Sequence, residues 1–165
     1  MIVDERMVTF IHSLETENSE ILETIEKEAL DTYVPIIRKE MQSFLKVLLQ
    51  IKKPMRILEV GTAVGFSALL MSEYVSEDCK ITTIEKYEKR IPIARENFKR
   101  AGKEEQITLL EGDALEILKS LDETYDLFLW MRRKAVHLLY AGSGSSVGTW
   151  RCAGVRQCAA RRRYH

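Results

Sequence analysis

The stretch that most constrains the fold is Arg56–Ser67, which reads Arg-Ile-Leu-Glu-Val-Gly-Thr-Ala-Val-Gly-Phe-Ser. Its first half is a short apolar run with one acid, Glu59, and predicts a buried strand. Gly61 and Gly65 predict a tight loop, because glycine accepts positive φ and lets the backbone approach a ligand closely. Residues 66–75 are predicted as a helix. A strand, a glycine loop and a helix in this order are typical of the first βαβ unit of nucleotide-binding proteins.

A second acidic residue, Glu85, follows the apolar run at residues 80–84, which predicts a second strand. A carboxylate at the end of that strand can accept hydrogen bonds from both ribose hydroxyls of an adenosine. The loop reads Gly-x-x-x-Gly, so it lacks the Gly-x-Gly-x-x-Gly of dinucleotide enzymes and the Lys-Ser/Thr of a phosphate-binding loop. Together with Glu59, it predicts a cofactor without a pyrophosphate, such as S-adenosylmethionine (SAM). A nicotinamide-dependent oxidoreductase that shares this βαβ start remains an alternative.

A third turn, at residues 112–114, follows a predicted strand at residues 107–110. Asp113 stands where a helix N-cap is expected, and capping would be its ordinary role. The same turn can meet an adenine, with a side-chain oxygen as acceptor for the adenine amino group. Gly61, Glu85 and Asp113 all fall at the carboxyl ends of predicted parallel strands, where ligands bind in open α/β sheets.

Helical segments alternate with these strands, and right-handed crossovers then give a parallel sheet with helices on both faces. Apolar residues at helical spacing mark the segments. The predicted helices cover residues 4–14, a segment that begins after Asn18 or Ser19 and ends before Pro35, and residues 36–51, 66–75, 87–101 and 115–121.

The charged residues are unevenly distributed although their sum is zero. All 25 acidic residues lie at or before Asp126, together with 17 of the 25 basic ones. Residues 1–126 therefore carry a formal charge of −8, and residues 127–165 carry +8. The first part has no basic signature of nucleic-acid binding.

Cysteine usage and hydropathy predict a protein of the reducing cytoplasm. Cys79, Cys152 and Cys158 are too few and too scattered for a disulfide framework or a zinc site. The N-terminus is acidic and lacks the apolar core of a signal peptide. No apolar run approaches the ~20 residues of a membrane span.

The chain resembles a known family along most of its length. The matching segments are Val34–Ile37, Met41, Ile57–Ser67, Ile84–Glu85 and Glu111–Ala114. They resemble the bacterial SAM-dependent O-methyltransferases, which include the caffeoyl-CoA and catechol enzymes. The N-terminal helices and the Val-Pro-Ile-Ile segment resemble most the subgroup that methylates 5-hydroxyuridine in tRNA. The resemblance runs from Met1 to about Phe128 and then stops.

The resemblance implies a Rossmann-like SAM-dependent methyltransferase fold, here with C-terminal strands missing or altered. It implies methyl transfer to a hydroxyl, either of 5-hydroxyuridine in tRNA or of a small catechol-like or caffeoyl-CoA-type acceptor. Intact relatives are expected to use Mg²⁺, to form homodimers and to act away from membranes. No catalytic residue is assigned. The implied cofactor-binding residues are Met41, Glu59, Gly61, Thr62, Ala63, Gly65, Ser67, Glu85, Gly112, Asp113 and Ala114.

From about Leu129 the chain changes character and becomes basic, ending near Arg161-Arg-Arg163. One interpretation is a nucleic-acid-binding tail in which Trp130 and Trp150 stack on bases. In the resembled family, this region instead holds Met-Asp-Ala-Ala-Lys and a later Asp-Asn, which supply metal ligands. Neither motif is present here, so the Mg²⁺ ligands are absent from the sequence and no metal-binding residue is assigned.

A shifted reading frame accounts for the change. Trp130-Met131 must be encoded TGG-ATG, which contains GAT, an aspartate codon, in another frame. Residues 129–134 can then read MDAAK, and residues 148–158 can read GPGGVLVSDNV in the third frame. We therefore hypothesise that the sequence from about Leu129 onward is a frame-shifted translation, although the two frames require more than one insertion or deletion.

The sequence divides into three segments. Residues 1–53 are predicted as an N-terminal helical segment, a lid or dimer surface in the resembled family. Residues 54–130 are predicted as the Rossmann-like cofactor-binding half of a methyltransferase domain. Residues 131–165 are predicted as an aberrant basic tail that is poorly ordered. An inactive SAM-binding fragment is therefore an alternative to an active O-methyltransferase.

Overall fold

The structure, a computed structural model, describes residues 16–132, 135–140 and 150–151, together with Arg6, Thr9, Phe10 and Ser13, whose backbone is helical. Most of the helix predicted over residues 4–14 lies outside the described residues. In the described part of the chain, no helix is both long and apolar enough to cross a membrane.

Helices and strands alternate as the sequence predicts. The elements are α1 (Glu20–Asp31), α2 (Lys39–Lys52), β1 (Arg56–Val60), α3 (Phe66–Glu73), β2 (Lys80–Glu85), α4 (Ile91–Arg100), β3 (Ile107–Glu111), α5 (Ala114–Ser120), β4 (Thr124–Tyr125), β5 (Leu127–Arg132), β6 (Ala135–Tyr140) and β7 (Trp150–Arg151). Five strands form a sheet in the order β3-β2-β1-β5-β6, and β4 pairs separately with β7. The pairs β3-β2, β2-β1 and β1-β5 are parallel, which confirms the predicted α/β class.

The sheet has an apolar core on each face because successive strand residues point to opposite sides. Ile57 and Ile81 belong to a large apolar cluster that also contains buried residues from α1, α2, α3 and α4. Leu58 and Ile84 belong to a smaller cluster that includes Leu118 of α5. Helices therefore cover both faces, as predicted.

Two helices begin later than the sequence predicts. Residues 34–38 are not helical, and α2 begins at Lys39 rather than at residue 36. Helix α4 begins at Ile91 rather than at residue 87, with Pro92 in its first turn. Proline has no N–H to donate and is tolerated only in the first turn, so the helix cannot extend further towards the N-terminus.

The edge of the sheet beyond β5 differs from the expectation of a poorly ordered tail over residues 131–165. Residues 135–140, expected in the basic tail, form β6 and pair antiparallel with β5. Only two residues separate these strands, which is too short for the crossover that parallel pairing requires. A hairpin is therefore the geometry available to this sequence. The three-segment division of the chain stays a prediction.

Candidate cofactor-binding site

The loop after β1 needs glycine at its first position. Gly61 has φ +100°, and a Cβ atom there would lie 2.9 Å from the backbone oxygen of Met131. The Gly61 N–H donates to the backbone oxygen of Ile84 at 2.9 Å, which ties the loop to the end of β2. The loop therefore runs against both neighbouring strands, with no room for a side chain at this position.

The end of the loop is equally restricted. Gly65 is the N-cap of α3, has φ +87° and faces the ring of Phe98, whose Cε1 would lie 2.5 Å from an added Cβ. Between the glycines, Ala63 also has positive φ, +51°, a region that non-glycine residues visit rarely. Its N–H donates to Glu85 Oε2 at 2.7 Å, and this hydrogen bond holds the loop in that conformation.

Glu85 is the acidic residue that accepts the most backbone hydrogen bonds described at this site. Besides the Ala63 N–H, its carboxylate accepts from the backbone N–H groups of Lys86 at 3.0 Å and Tyr87 at 2.9 Å, both through Oε1. The residue is 9% exposed. A carboxylate offers about four acceptor positions, and three are occupied here, so about one remains for the predicted hydrogen bond from the ribose.

Glu59 lies beneath the loop and is fully buried. It accepts hydrogen bonds from the hydroxyls of Ser67 and Thr83. Thr62 Oγ1 lies 2.6 Å from Thr83 Oγ1, so hydroxyls connect the loop to this carboxyl group. Burial raises the pKa of Glu59 to about 7, against the two hydroxyl hydrogen bonds, which lower it. Ser67 donates its hydroxyl proton to Glu59, and the cofactor contact that the family resemblance implies for Ser67 stays a prediction.

The stability of the fold is expected to depend on the charge of Glu59. Because the folded pKa is raised from 4.5 to about 7, the neutral carboxyl group stabilises the fold below pH 4.5, and this contribution is lost as pH rises through 7. We expect it to amount to about 3 kcal/mol. Urea denaturation between pH 5 and 8 measures it, and Glu59→Gln, which mimics the neutral group, serves as the control. Parallel pH profiles for the two proteins would contradict the burial argument.

The third predicted turn lies beside Glu85. Gly112 has φ +139°, and its N–H donates to the backbone oxygen of Glu85 at 2.9 Å. Asp113 caps α5 by accepting from the Leu115 N–H at 2.9 Å. Its other carboxylate oxygen lies 3.6 Å from Lys86 Nζ. The capping role is thus confirmed, and the half-exposed carboxylate remains available for the predicted adenine contact.

Most of the predicted site residues meet at one edge of the sheet, but Met41 is a separate case. It lies half-buried on α2 and packs against the large core cluster, so its cofactor contact stays a prediction. Two polar residues beneath the loop, Thr83 and Asn97, were not among the residues predicted from the sequence. Asn97 is buried and donates to the backbone oxygen of Val64 at 2.8 Å. A polar residue among the apolar positions of an amphipathic helix was the available signal.

A pocket of about 250 Å³ extends along the sheet from the first residues of β1 and β2 to Leu110 of β3. Arg56 and Lys80, the first residues of β1 and β2, line it together with Thr82, Thr108 and Tyr125. It is therefore distinct from the glycine-loop edge and does not coincide with the predicted cofactor site.

No metal centre is evident in the described residues, which contain no group of three His, Cys, Asp or Glu side chains able to hold an ion. The positions at which the resembled family carries its later metal ligands lie largely outside the described residues. The described residues therefore do not supply the ligand set that the Mg²⁺ of the resembled family would need.

The fold and the three turns define a Rossmann-like methyltransferase domain, which comparison with solved structures supports. A Bacillus cereus O-methyltransferase in complex with S-adenosylhomocysteine (SAH) superposes with a TM-score of 0.68 at 25% identity, over 76% of this chain and 60% of that chain. The SAH-bound methyltransferase of Podospora anserina gives a TM-score of 0.69 at 28% identity, over 76% and 56% of the two chains.

The chain belongs to the O-methyltransferase family, whose model matches residues 12–130. Among curated relatives, the catechol O-methyltransferase of Niastella koreensis is 34% identical over 80 residues, which are 48% of this chain and 36% of the relative. The chain spans between 36% and 49% of the length of such relatives. The family resemblance seen in the sequence is therefore confirmed, and the match ends close to the point at which that resemblance stops.

Proposed function

We propose that this chain binds SAM across the carboxyl ends of β1, β2 and β3, and that the protein transfers the methyl group to a hydroxyl. The observation that carries the proposal is the convergence on Glu85. Its side chain accepts a hydrogen bond from the Ala63 N–H, and its backbone oxygen accepts one from the Gly112 N–H. Glu85 therefore connects the glycine loop to the turn after β3. In the same glycine loop, the Gly61 N–H donates to the backbone oxygen of Ile84, the residue before Glu85.

Each part of the site has a stated role in this proposal. SAM supplies a methyl group activated by its positively charged sulfur. Gly61 and Gly65 let the main chain approach the cofactor, because side chains are sterically excluded there. Glu85 accepts a hydrogen bond from the ribose hydroxyls, and Asp113 accepts one from the adenine amino group. Glu59 fixes the underside of the loop through Thr83 and the first turn of α3 through Ser67.

For the acceptor, we propose a small hydroxylated aromatic molecule. A relative of this chain is named catechol O-methyltransferase, and the formal charge of −8 on residues 1–126 disfavours contact with a polyanion. The resemblance of Val34–Ile37 to the tRNA-modifying subgroup supports 5-hydroxyuridine of tRNA as a second candidate. A homodimer in the cytoplasm is part of the same proposal.

Binding and transfer assays test the function in two steps. Calorimetric titration with SAH, the product form of the cofactor, is expected to saturate, whereas NAD is expected not to bind. Preferential binding of NAD would overturn the proposal in favour of an oxidoreductase. Labelled methyl from SAM is then offered to catechol and to tRNA that carries 5-hydroxyuridine, with and without Mg²⁺. Transfer to tRNA alone would replace the small acceptor, and binding without any transfer would leave a cofactor-binding fragment.

We also propose that the residues from about Leu129 onward follow a shifted reading frame. The family model ends its match at residue 130, and the basic segment begins at the same place. Sequencing the coding DNA tests this directly. Codons that yield Met-Asp-Ala-Ala-Lys and Ser-Asp-Asn in the alternative frames would support the proposal, and codons that cannot yield them would refute it.

A further inference from the structure

Helix α4 packs against the glycine loop. Two adjacent residues of this helix contact two adjacent residues of the loop. Asn97 Nδ2 donates to the backbone oxygen of Val64 at 2.8 Å, and the ring of Phe98 faces Gly65. Asn97 is 2% exposed, so water is largely excluded from the hydrogen bond, and its loss would leave a buried carbonyl without this donor.

The orientation of the Asn97 amide is itself fixed. Its Oδ1 accepts from Arg100 Nη1 at 3.0 Å, and since a guanidinium can only donate, the amide nitrogen must face the loop. The two terminal nitrogens of Arg100, Nη1 and Nη2, also donate to the two carboxylate oxygens of Glu28, at 2.8 and 3.1 Å. This bidentate pair lowers the pKa of the Glu28 carboxyl group. Glu28 belongs to α1, so a polar chain runs from α1 through α4 to the loop.

We propose that Asn97 is a positioning residue that holds the glycine loop in its cofactor-binding conformation, and that the Arg100–Glu28 pair makes this conformation depend on α1. The inference rests on the proposed function, because its readout is SAH affinity. When the loop leaves the bound conformation, apparent affinity falls in proportion to the lost population. The helix α1 and the cofactor site are thereby coupled through Glu28, Arg100, Asn97 and Val64.

The test compares Asn97→Asp with a closely matched control, Gln106→Glu. Gln106 is also a buried amide, 7% exposed, whose nitrogen donates to a backbone oxygen, that of Ser76, at 3.0 Å. Its oxygen accepts from Lys103 at 3.2 Å, as that of Asn97 accepts from Arg100. It precedes β3 at the other end of the strands. Both substitutions therefore remove one buried donor beside a basic side chain, but only one of them is at the loop.

We expect Asn97→Asp to weaken SAH binding roughly tenfold, whereas Gln106→Glu leaves the dissociation constant unchanged at a similar loss of stability. The Gly65 amide should also exchange with solvent faster in Asn97→Asp alone. Equal SAH affinities for the two variants at equal stability would overturn the inference. If the unsubstituted protein does not bind SAH, the proposed function fails instead, and unchanged exchange at Gly65 would still refute the positioning role.

The dependence on α1 is tested at the helix surface, where folding is not at risk. Glu28→Gln is expected to weaken SAH binding about threefold, as loss of part of a charged hydrogen-bonded pair would. Glu23→Gln, on the same helix and facing Lys39 at 3.6 Å, is the control and should have no effect. Equal affinities for these two variants would limit the positioning role to Asn97 and refute the coupling to α1.

Discussion

Replacing Gly65 with alanine is expected to eliminate measurable SAH binding and to destabilise the fold by about 2–5 kcal/mol. The residue has φ +87°, and the new Cβ would lie 2.5 Å from Cε1 of Phe98. Phe98 is 3% exposed and packed in the large core cluster, so its ring cannot move aside without disturbing the core. The loop would have to shift away from the cofactor instead.

Gly102→Ala separates the two components of that effect. Gly102 also has positive φ, +63°, but no atom lies within 4 Å of an added Cβ. The Gly102→Ala variant should therefore lose only about 1 kcal/mol of unfolding free energy, from backbone strain at positive φ, and should bind SAH with unchanged affinity. Urea denaturation and calorimetry of both variants measure the difference. If Gly65→Ala behaves like Gly102→Ala, the close contact with Phe98 does not constrain the loop.

Replacing Glu85 with glutamine is expected to weaken SAH binding roughly a hundredfold, because a hydrogen bond from the ribose to a charged acceptor would be lost or weakened and the Ala63 N–H of the loop would lose its charged acceptor. The amide would also present an N–H group to the backbone donors of Ala63 or of Lys86 and Tyr87. Two donors cannot bond to each other, so we also expect the melting temperature to fall.

The matched control is Glu111→Gln. Glu111 is the partner of Glu85 in the β2–β3 register and ends the next strand, but it is exposed and pairs with Arg95. Calorimetric titration of SAH into both variants gives the comparison. Comparable losses for the two would mean that general negative charge at this edge, rather than a specific contact of Glu85, governs binding.

The sequence was most informative where local chemistry decides local structure. A run of apolar residues followed by two spaced glycines predicted β1, its loop and α3, because few residues other than glycine adopt the required φ values. Asp113 caps its helix as predicted, and of the two candidates Asn18 and Ser19 it is Ser19 that caps α1, since a short polar side chain satisfies a free N–H within its own segment. The prediction that three turns meet at one sheet edge followed from parallel strand order alone.

Contacts between distant segments were not accessible in the same way. Asn97 reaches the loop across 33 positions of sequence, and no local pattern specifies that partner. The Thr83 hydroxyl likewise gained its role only because β1 and β2 pair in the register that places it beside Glu59. The strand β6 was missed because the basic composition of the segment outweighed its short apolar run in the prediction.

The central claim, that the cofactor lies at the glycine-loop edge, is tested most directly by amide NMR of the protein titrated with SAH. We predict that the largest shift changes fall on the amides of Gly61, Ala63 and Gly65 in the glycine loop and of Gly112 in the turn after β3. Changes confined to the pocket beginning at Arg56, at the other end of the strands, or no saturable change at all, would contradict the assignment of this site.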